Sequence, residues 1–173
     1  MHPNALTYTA APELDVDGWF NTSTPLTINQ LRGTVIVLHA FQMLCPGCVF
    51  HGTPLAQRLH TTLRDEDVVV IGIHTVFEHH DAMKPEHLAV YLDEFGITMP
   101  VAVDRRTASH TPATMTAYAM NGTPTLVLID RNGNIRHTYF GNASELHIGI
   151  ALGRLLAETF EPDPPIRNSD AAR

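Results

Sequence analysis

The chain of 173 residues has only two cysteines, few charges and no long apolar run. Its 11 Lys and Arg residues are outnumbered by 18 Asp and Glu residues, and no basic cluster is longer than Arg105-Arg106. A net charge of -7 without a basic patch gives no electrostatic footprint for nucleic acid or for an anionic membrane surface. We therefore expect neither nucleic acid nor a membrane as a partner.

The first residues also lack the pattern of a secretory signal. No basic segment precedes an apolar core in residues 1–20, and no later stretch approaches the roughly 20 apolar residues of a membrane span. We therefore predict a cytoplasmic protein. In that compartment thiols are held reduced, so a stable structural disulfide is not expected.

β-rich and helical segments alternate along the chain. Residues 34–41 and 67–73 are short apolar runs rich in Val and Ile, as expected for parallel strands buried on both faces of a sheet. A helix follows each run; Pro54 should kink or start the first, and Gly96 should end the second. The later predicted elements are a strand at 99–104, a helix at 113–120, strands near 125–130 and 134–140, and a helix from Asn142 to about Phe160.

The clearest local signal is Asn132-Gly133, which lies between the last two predicted strands. Because this dipeptide accepts positive φ at both turn positions, we predict that these strands pair as an antiparallel hairpin. Asn142 with Glu145 three residues later has the pattern of a capping box at the start of the last helix. Gly149 and Gly153 inside that helix indicate close packing on a sheet.

The predicted order is β-α-β-α-β-α-β-β-α, preceded by a small hairpin around residues 19–28. This order indicates an α/β fold with a mixed central sheet between layers of helices. We predict one domain over residues 1–160. Residues 161–173 contain three prolines and little to bury, so we predict a flexible C-terminal tail there.

Both cysteines lie in Cys45-Pro46-Gly47-Cys48, at the junction of the first central strand and its helix. The free N–H groups and partial positive charge of a helix N-terminus stabilise a thiolate, so Cys45 is the predicted nucleophile. Cys48 lies one turn further along and is positioned to attack the resulting mixed disulfide. A metal site is the other use of such a pair, but no second Cys-x-x-Cys completes a zinc site, so we predict none.

The dithiol and its surroundings resemble the thioredoxin superfamily, specifically its TlpA-like and peroxiredoxin-like redoxin branch. Over roughly residues 19–160 the features of that branch occur in order, namely the strand before the dithiol, MPVAVD, Tyr118, NGTPTLVLID, NGNI and Gly141. The resemblance implies a thioredoxin-like three-layer sandwich with an N-terminal β-hairpin extension. It also implies a thiol-disulfide oxidoreductase that reduces protein or small-molecule disulfides. The chain has no nicotinamide fingerprint, so we predict no cofactor and an external dithiol or small thiol as electron donor.

The resemblance also assigns site residues. Thr123-Pro124 matches the family's cis-proline loop, which binds the extended backbone of substrate beside Pro46-Gly47. Three positions depart from the family's pattern: Leu44 replaces a Trp, Pro46-Gly47 inverts the usual order and removes an N–H donor, and His39 aligns with a buried acid. His39 has two interpretations, a proton acceptor for Cys48 or a buried, hydrogen-bonded structural residue.

A cluster of His and acidic side chains follows the second central strand, in HTVFEHHDAM. His74, Glu78 and His79 should lie at the same edge of the sheet as the dithiol, where ligands bind in open α/β sheets. They are either a rim that faces the substrate or a solvated polar loop.

Two other functions stay open on the same fold. A peroxiredoxin-like thiol peroxidase would need a Thr or Ser before its reactive cysteine and an activating Arg. Gln42, Met43 and Leu44 precede Cys45 instead, although CPGC partly matches the TPGC of one peroxiredoxin group with Cys48 as the reactive thiol. The third candidate is a redox-silent binding module, compatible with the missing Trp and the acidic composition.

Overall fold

The computed structural model describes residues 8–160, so the predicted C-terminal tail lies outside the described residues. Within this range, seven strands form one sheet and four α-helices pack around it. The strands are β1 Thr9–Ala10, β2 Val16–Phe20, β3 Val35–Phe41, β4 Val68–His74, β5 Val101–Asp104, β6 Thr125–Ile129 and β7 Asn134–Phe140. The helices are α1 Thr53–Thr62, α2 Pro85–Glu94, α3 Ala113–Ala117 and α4 Glu145–Ala157, with a π-helical turn Cys48–Gly52 before α1.

The sheet is mixed, as predicted, with the strand order β1-β7-β6-β3-β4-β5-β2. β3, β4 and β5 are parallel and are joined through α1 and α2, whereas the neighbouring pairs outside this block are antiparallel. β3 is central, and all seven of its residues are buried. The segment after its carboxyl end therefore lies at the middle of one sheet edge.

The core has two parts, one on each face of the sheet. Val35, Val37 and Phe41 of β3 point to the face covered by α1, α2 and α4, which contribute Ala56, Leu88, Leu92, Ile148, Leu152 and Leu155. The intervening residues of β3 point to the other face, against α3 and the segment before β3. Each fully buried aliphatic side chain contributes about 1.5–3 kcal/mol, so both faces hold β3 in place.

The N-terminal hairpin predicted around residues 19–28 is not formed in the described residues. β2 pairs with β5 at one edge of the sheet, and β1 pairs with β7 at the opposite edge. Asn21, with φ of 59°, ends β2 and donates from Nδ2 to the carbonyl groups of Ile97 and Met99. These hydrogen bonds fix the end of β2 beside β5, so the chain leaves the sheet instead of turning back on itself.

The hairpin of β6 and β7 forms as predicted, but its turn differs from the prediction. Only Gly133 has positive φ, at 71°, and its N–H donates to the Asp130 carbonyl over 2.8 Å. The Asp130 carboxylate also accepts from the N–H groups of Asn132 and Asn134, each over 2.9 Å. The turn is therefore held by hydrogen bonds to the Asp130 carboxylate, and Asn132 does not adopt the positive φ that was predicted for it.

The last helix begins two residues later than predicted. Ser144 is the N-cap and accepts from the His147 N–H over 3.5 Å, while Glu145 pairs with Arg58. Gly149 was predicted to pack closely on the sheet, but a Cβ placed there would meet no atom within 4 Å, and the same holds for Gly153. Within residues 8–160, no helix combines the length and apolarity that crossing a bilayer requires. The cytoplasmic compartment stays a prediction.

Candidate active site

The dithiol lies where the sequence places it, separated from the end of β3 by three residues and at the start of the π-helical turn. Both thiols are free; Cys45 is partly exposed and Cys48 is fully buried. The Cys48 N–H donates to Cys45 Sγ over 3.4 Å, and the Val49 N–H donates to the Cys45 carbonyl over 3.0 Å. Cys45 Sγ therefore faces the first free N–H groups of the helix, which favour a thiolate.

The pKa values of the two thiols are shifted in opposite directions. Partial burial by itself would raise the pKa of Cys45, but hydrogen bonds from the Cys48 thiol and N–H, the Thr123 side chain and the Gly47 N–H together lower it below its usual value. Burial raises the pKa of Cys48 to about 12, and its hydrogen bond to Cys45 adds to the increase. The exposed thiol is thus the one that ionises first, as the predicted division of roles requires.

The Thr123-Pro124 step lies next to the dithiol, and its peptide bond is cis, as the resemblance implies. Cys45 Sγ lies 3.5 Å from the Thr123 carbonyl oxygen. A Cβ on Gly47 would lie 3.1 Å from Pro124 Cδ, so the loop between the two cysteines touches the proline ring. Of the predicted substrate-binding residues, Pro46 is exposed and Gly47 is half-buried beside Pro124.

Gly52 is a site residue that sequence reasoning missed. A Cβ at this position would lie 2.7 Å from His39 Cε1 and 2.7 Å from Pro124 Cβ, closer than side chains tolerate. Its missing side chain lets the π-helical turn approach β3 and the cis-proline at once. The GCVFHGTP pattern gave no sign of this, because one of the two contacts, that with Pro124, joins segments about 70 residues apart.

His39 lies beneath the π-helical turn and is fully buried. Its Nε2 is 3.1 Å from Thr53 Oγ1, its ring stacks on Phe41 at 5.5 Å, and its Nδ1 has no partner among the described residues. Burial lowers the pKa of His39 to about 3. The imidazole is therefore neutral near pH 7 and is a weak acceptor for the proton of a thiol.

The predicted rim does not include His74 as an exposed side chain. His74 is 1% exposed and packs on Phe41 with ring centroids 5.4 Å apart, because the two residues lie side by side in β4 and β3. Burial lowers its pKa to about 4. Glu78 and His79 are exposed on the following loop, so only they could face a partner.

A thiol peroxidase would need an activating arginine, and neither residue of the pair Arg105-Arg106 contacts the dithiol through a hydrogen bond among the described residues. Arg105 binds Asp15 through Nε and a terminal nitrogen, each 2.6 Å from a carboxylate oxygen. Arg106 is exposed and lines a cavity with His74 and Asp104. Neither arginine is among the groups that shift the pKa of either thiol.

Comparison with known protein families shows to which family this chain belongs. A model of the AhpC/TSA family matches residues 8–138, which include the dithiol, the cis-proline and most of the sheet. The chain belongs to the AhpC/TSA family. This places it in the redoxin branch of the thioredoxin superfamily, as the sequence resemblance indicated.

Solved structures of similar proteins show the same fold. A thioredoxin-like superfamily protein is 50% identical with a TM-score of 0.86, and it matches over 88% of this chain and 99% of its own. A thiol-disulfide isomerase from Corynebacterium glutamicum is 51% identical with a TM-score of 0.81, over 86% and 98% of the two chains. The AhpC/TSA domain described here is therefore thioredoxin-like, which confirms the predicted fold class.

A curated relative extends well beyond this chain. Protein DipZ of Mycobacterium bovis is 31% identical over 155 residues, which are 88% of this chain but 21% of DipZ. The chain thus spans about a fifth of the length of the first curated relative it matches. The family assignment concerns this AhpC/TSA domain alone.

Proposed function

We propose that this chain is a thiol-disulfide oxidoreductase in which Cys45 is the nucleophile and Cys48 is the resolving cysteine. The observation that carries the proposal is the contrast between the two adjacent thiols. Cys45 is accessible and its pKa is lowered, whereas Cys48 is buried and its pKa is raised to about 12. Membership of the family and the similarity to a thiol-disulfide isomerase support the same reaction class.

The reaction has two exchange steps. The Cys45 thiolate attacks one sulfur of a disulfide, the disulfide bond breaks, and the second sulfur leaves as a thiolate that takes up a proton. Cys48 then loses its proton and attacks Cys45 Sγ, which releases the first sulfur as a thiol and forms a Cys45–Cys48 disulfide. The substrate gains two electrons and two protons, and an external dithiol or small thiol returns the chain to its reduced form.

The substrate side of the proposal uses the loop that touches the dithiol. Thr123 and Pro124 bind extended backbone of a partner protein, beside Pro46 and Gly47 of the loop between the two cysteines. Leu44 is 56% exposed and Phe50 is 73% exposed, so apolar side chains flank this position. A protein disulfide in an extended apolar segment fits this surface better than a small charged disulfide.

His39 has a packing and hydrogen-bonding role in this proposal. A pKa of about 3 makes it a poor acceptor for a Cys48 thiol whose pKa is about 12. Its contact with Thr53 supports the first residue of α1, directly behind the π-helical turn. The structural interpretation of His39 is therefore the one we adopt.

Insulin reduction with a dithiol donor tests the function. We expect wild-type protein to reduce insulin disulfides, Cys45→Ser to lose all activity, and Cys48→Ser to accumulate a mixed disulfide with insulin. Activity in Cys45→Ser, or a trapped disulfide on Cys48 only, would contradict the assignment of roles. Ser144→Ala is a matched control, since it changes a hydroxyl at the start of α4 and touches neither thiol.

The same protein preparations separate the alternatives. A thiol peroxidase, which the family assignment keeps open, would consume hydroperoxide stoichiometrically in its reduced form and carry sulfenic acid on one identified cysteine. A binding module would retain its partner when both cysteines are replaced. Hydroperoxide consumption without insulin reduction would replace the proposed function with the first alternative.

A further inference from the structure

Gln42 is a buried polar residue that lies three positions before Cys45. Its side chain is 1% exposed, and its backbone carbonyl accepts from the Cys45 N–H over 3.2 Å. A buried amide side chain requires partners for its donors and its acceptor, because leaving them unpaired costs free energy. The position of those partners shows what Gln42 does in the site.

Both ends of the Gln42 amide bind loops that meet at the dithiol. Nε2 donates to Thr123 Oγ1 over 3.4 Å, and Oε1 accepts from the Phe77 N–H over 3.4 Å. Thr123 precedes the cis-proline, and Phe77 belongs to the loop that carries Glu78 and His79. One side chain thus joins the segment before Cys45 to both loops that border it.

The bond to Thr123 also limits where the Thr123 hydroxyl proton can point. A threonine hydroxyl has one proton and two lone pairs. Because Gln42 Nε2 donates to the Thr123 hydroxyl oxygen, the hydroxyl proton points away from Gln42. Thr123 lies beside the thiols, with its carbonyl oxygen 3.5 Å from Cys45 Sγ, and its side chain lowers the pKa of both cysteines. Among the described residues, the Gln42 side chain makes no hydrogen bond to sulfur, so the side chain acts on the thiols through Thr123. The Gln42 backbone separately lowers the pKa of Cys48.

We propose that Gln42 is a positioning residue of the dithiol site, whose amide holds Thr123 beside Cys45 and fixes the neighbouring loop at Phe77. This inference rests on the proposed thiol-disulfide exchange for its kinetic consequence. The expected effect on the pKa of Cys45 is independent of the proposed function, because alkylation measures it without a disulfide substrate.

Gln42→Met is the main test, since methionine has a similar length and volume but neither an amide donor nor an amide acceptor. We expect kcat/KM for insulin disulfides to fall by about tenfold, mainly through a higher KM, as two hydrogen bonds are lost. The pH midpoint of Cys45 alkylation by iodoacetamide should also move upward. Hydrogen exchange at the Phe77 amide should become faster.

Gln57→Met is the matched control. Gln57 bridges α1 to the segment before β5, donating to Thr98 Oγ1 over 2.8 Å and accepting from the N–H groups of Thr98 and Met99. Its replacement removes the same kind of amide bridge at a place that contacts neither cysteine. We expect a lower Tm with unchanged KM and alkylation midpoint. A Gln42→Met protein that behaves in this way would overturn the proposal.

Variants of Thr123 test the same bond from its other end and do not require Gln42→Met to fold. Thr123→Val should raise the alkylation midpoint, and Thr123→Ser, which keeps the hydroxyl, should restore it. The double variant Gln42→Met, Thr123→Val should have the same alkylation midpoint as Thr123→Val alone, because the bond to Phe77 does not involve the thiols, whereas additive shifts of the midpoint would refute action through Thr123. If wild-type protein fails to reduce insulin, the proposed function fails, and the alkylation midpoints still decide the role of Gln42.

Discussion

Acidification should destabilise this protein through two buried histidines. His39 is fully buried and His74 is 1% exposed, and burial lowers their pKa values to about 3 and about 4. Both are therefore neutral in the folded state at about pH 5, whereas an unfolded chain protonates them with a pKa of about 6.5. The folded pKa lies below the unfolded one, so this contribution is complete above about pH 6.5 and is lost as the pH falls toward 4 and 3.

The magnitude follows from proton linkage. Between about pH 7.5 and about pH 5, each histidine should lower the free energy of unfolding by about 2 kcal/mol, because 1.5 pH units below the unfolded pKa correspond to about 2 kcal/mol. The two together amount to about 4 kcal/mol. Domains of this size are commonly stable by about 5–15 kcal/mol, so the loss is a large fraction of the total.

Urea unfolding at the two pH values measures this difference, with the fluorescence of the single Trp19 and circular dichroism as probes. His39→Gln and His74→Gln should each reduce the pH-dependent difference by about 2 kcal/mol, whatever they do to stability at pH 7.5. His79→Asn is the control, since His79 is exposed and its φ of 49° is a conformation that Asn accepts. A double His39, His74 variant that keeps the full wild-type difference would refute this explanation.

Two further predictions follow from the site. Gly52→Ala should lower the free energy of unfolding by about 1–3 kcal/mol and slow disulfide exchange, because the added Cβ would meet His39 and Pro124. In the same urea denaturation assay the control Gly149→Ala should be neutral or stabilising, because Gly149 faces open space on α4. Iodoacetamide at neutral pH should label Cys45 of the reduced protein and leave Cys48 unlabelled, because burial raises the pKa of Cys48 to about 12. Mass spectrometry of the peptides measures the labelling, and equal labelling of both thiols would contradict this prediction.

Local patterns were sufficient to predict much of the fold. The continuous apolar runs marked β3 and β4, because strands covered on both faces need no polar alternation. The dithiol could be placed at a helix start because Cys45 follows such a run after only three residues. The resemblance then supplied the partner of the dithiol, Thr123-Pro124, which no local pattern would have joined to residues 45–48.

The features that sequence reasoning missed depend on contacts between distant segments. Gln42 and Thr123 are 81 residues apart, and neither has a local pattern that pairs them. His74 ends a strand and precedes a polar loop, so its burial depends on packing against Phe41 of the neighbouring strand. The prediction of an N-terminal hairpin was wrong for the same reason, since hydrogen bonds from Asn21 to the segment before β5 hold β2 beside β5.

In the proposed reaction, the departures from the family's pattern should affect the two exchange steps unequally. Pro46 lacks an N–H, yet the Cys48 thiol and N–H, the Thr123 side chain and the Gly47 N–H together lower the pKa of Cys45. The thiolate needed for the proposed attack on a disulfide is therefore still favoured. The second step has no such support, because burial lowers the pKa of His39, the residue in the place of the buried acid, to about 3 and so makes it a weak base. Deprotonation of Cys48 must then use the leaving thiolate or water. Release of the mixed disulfide should therefore be the slower step, and it should become faster with rising pH more steeply than the attack by Cys45.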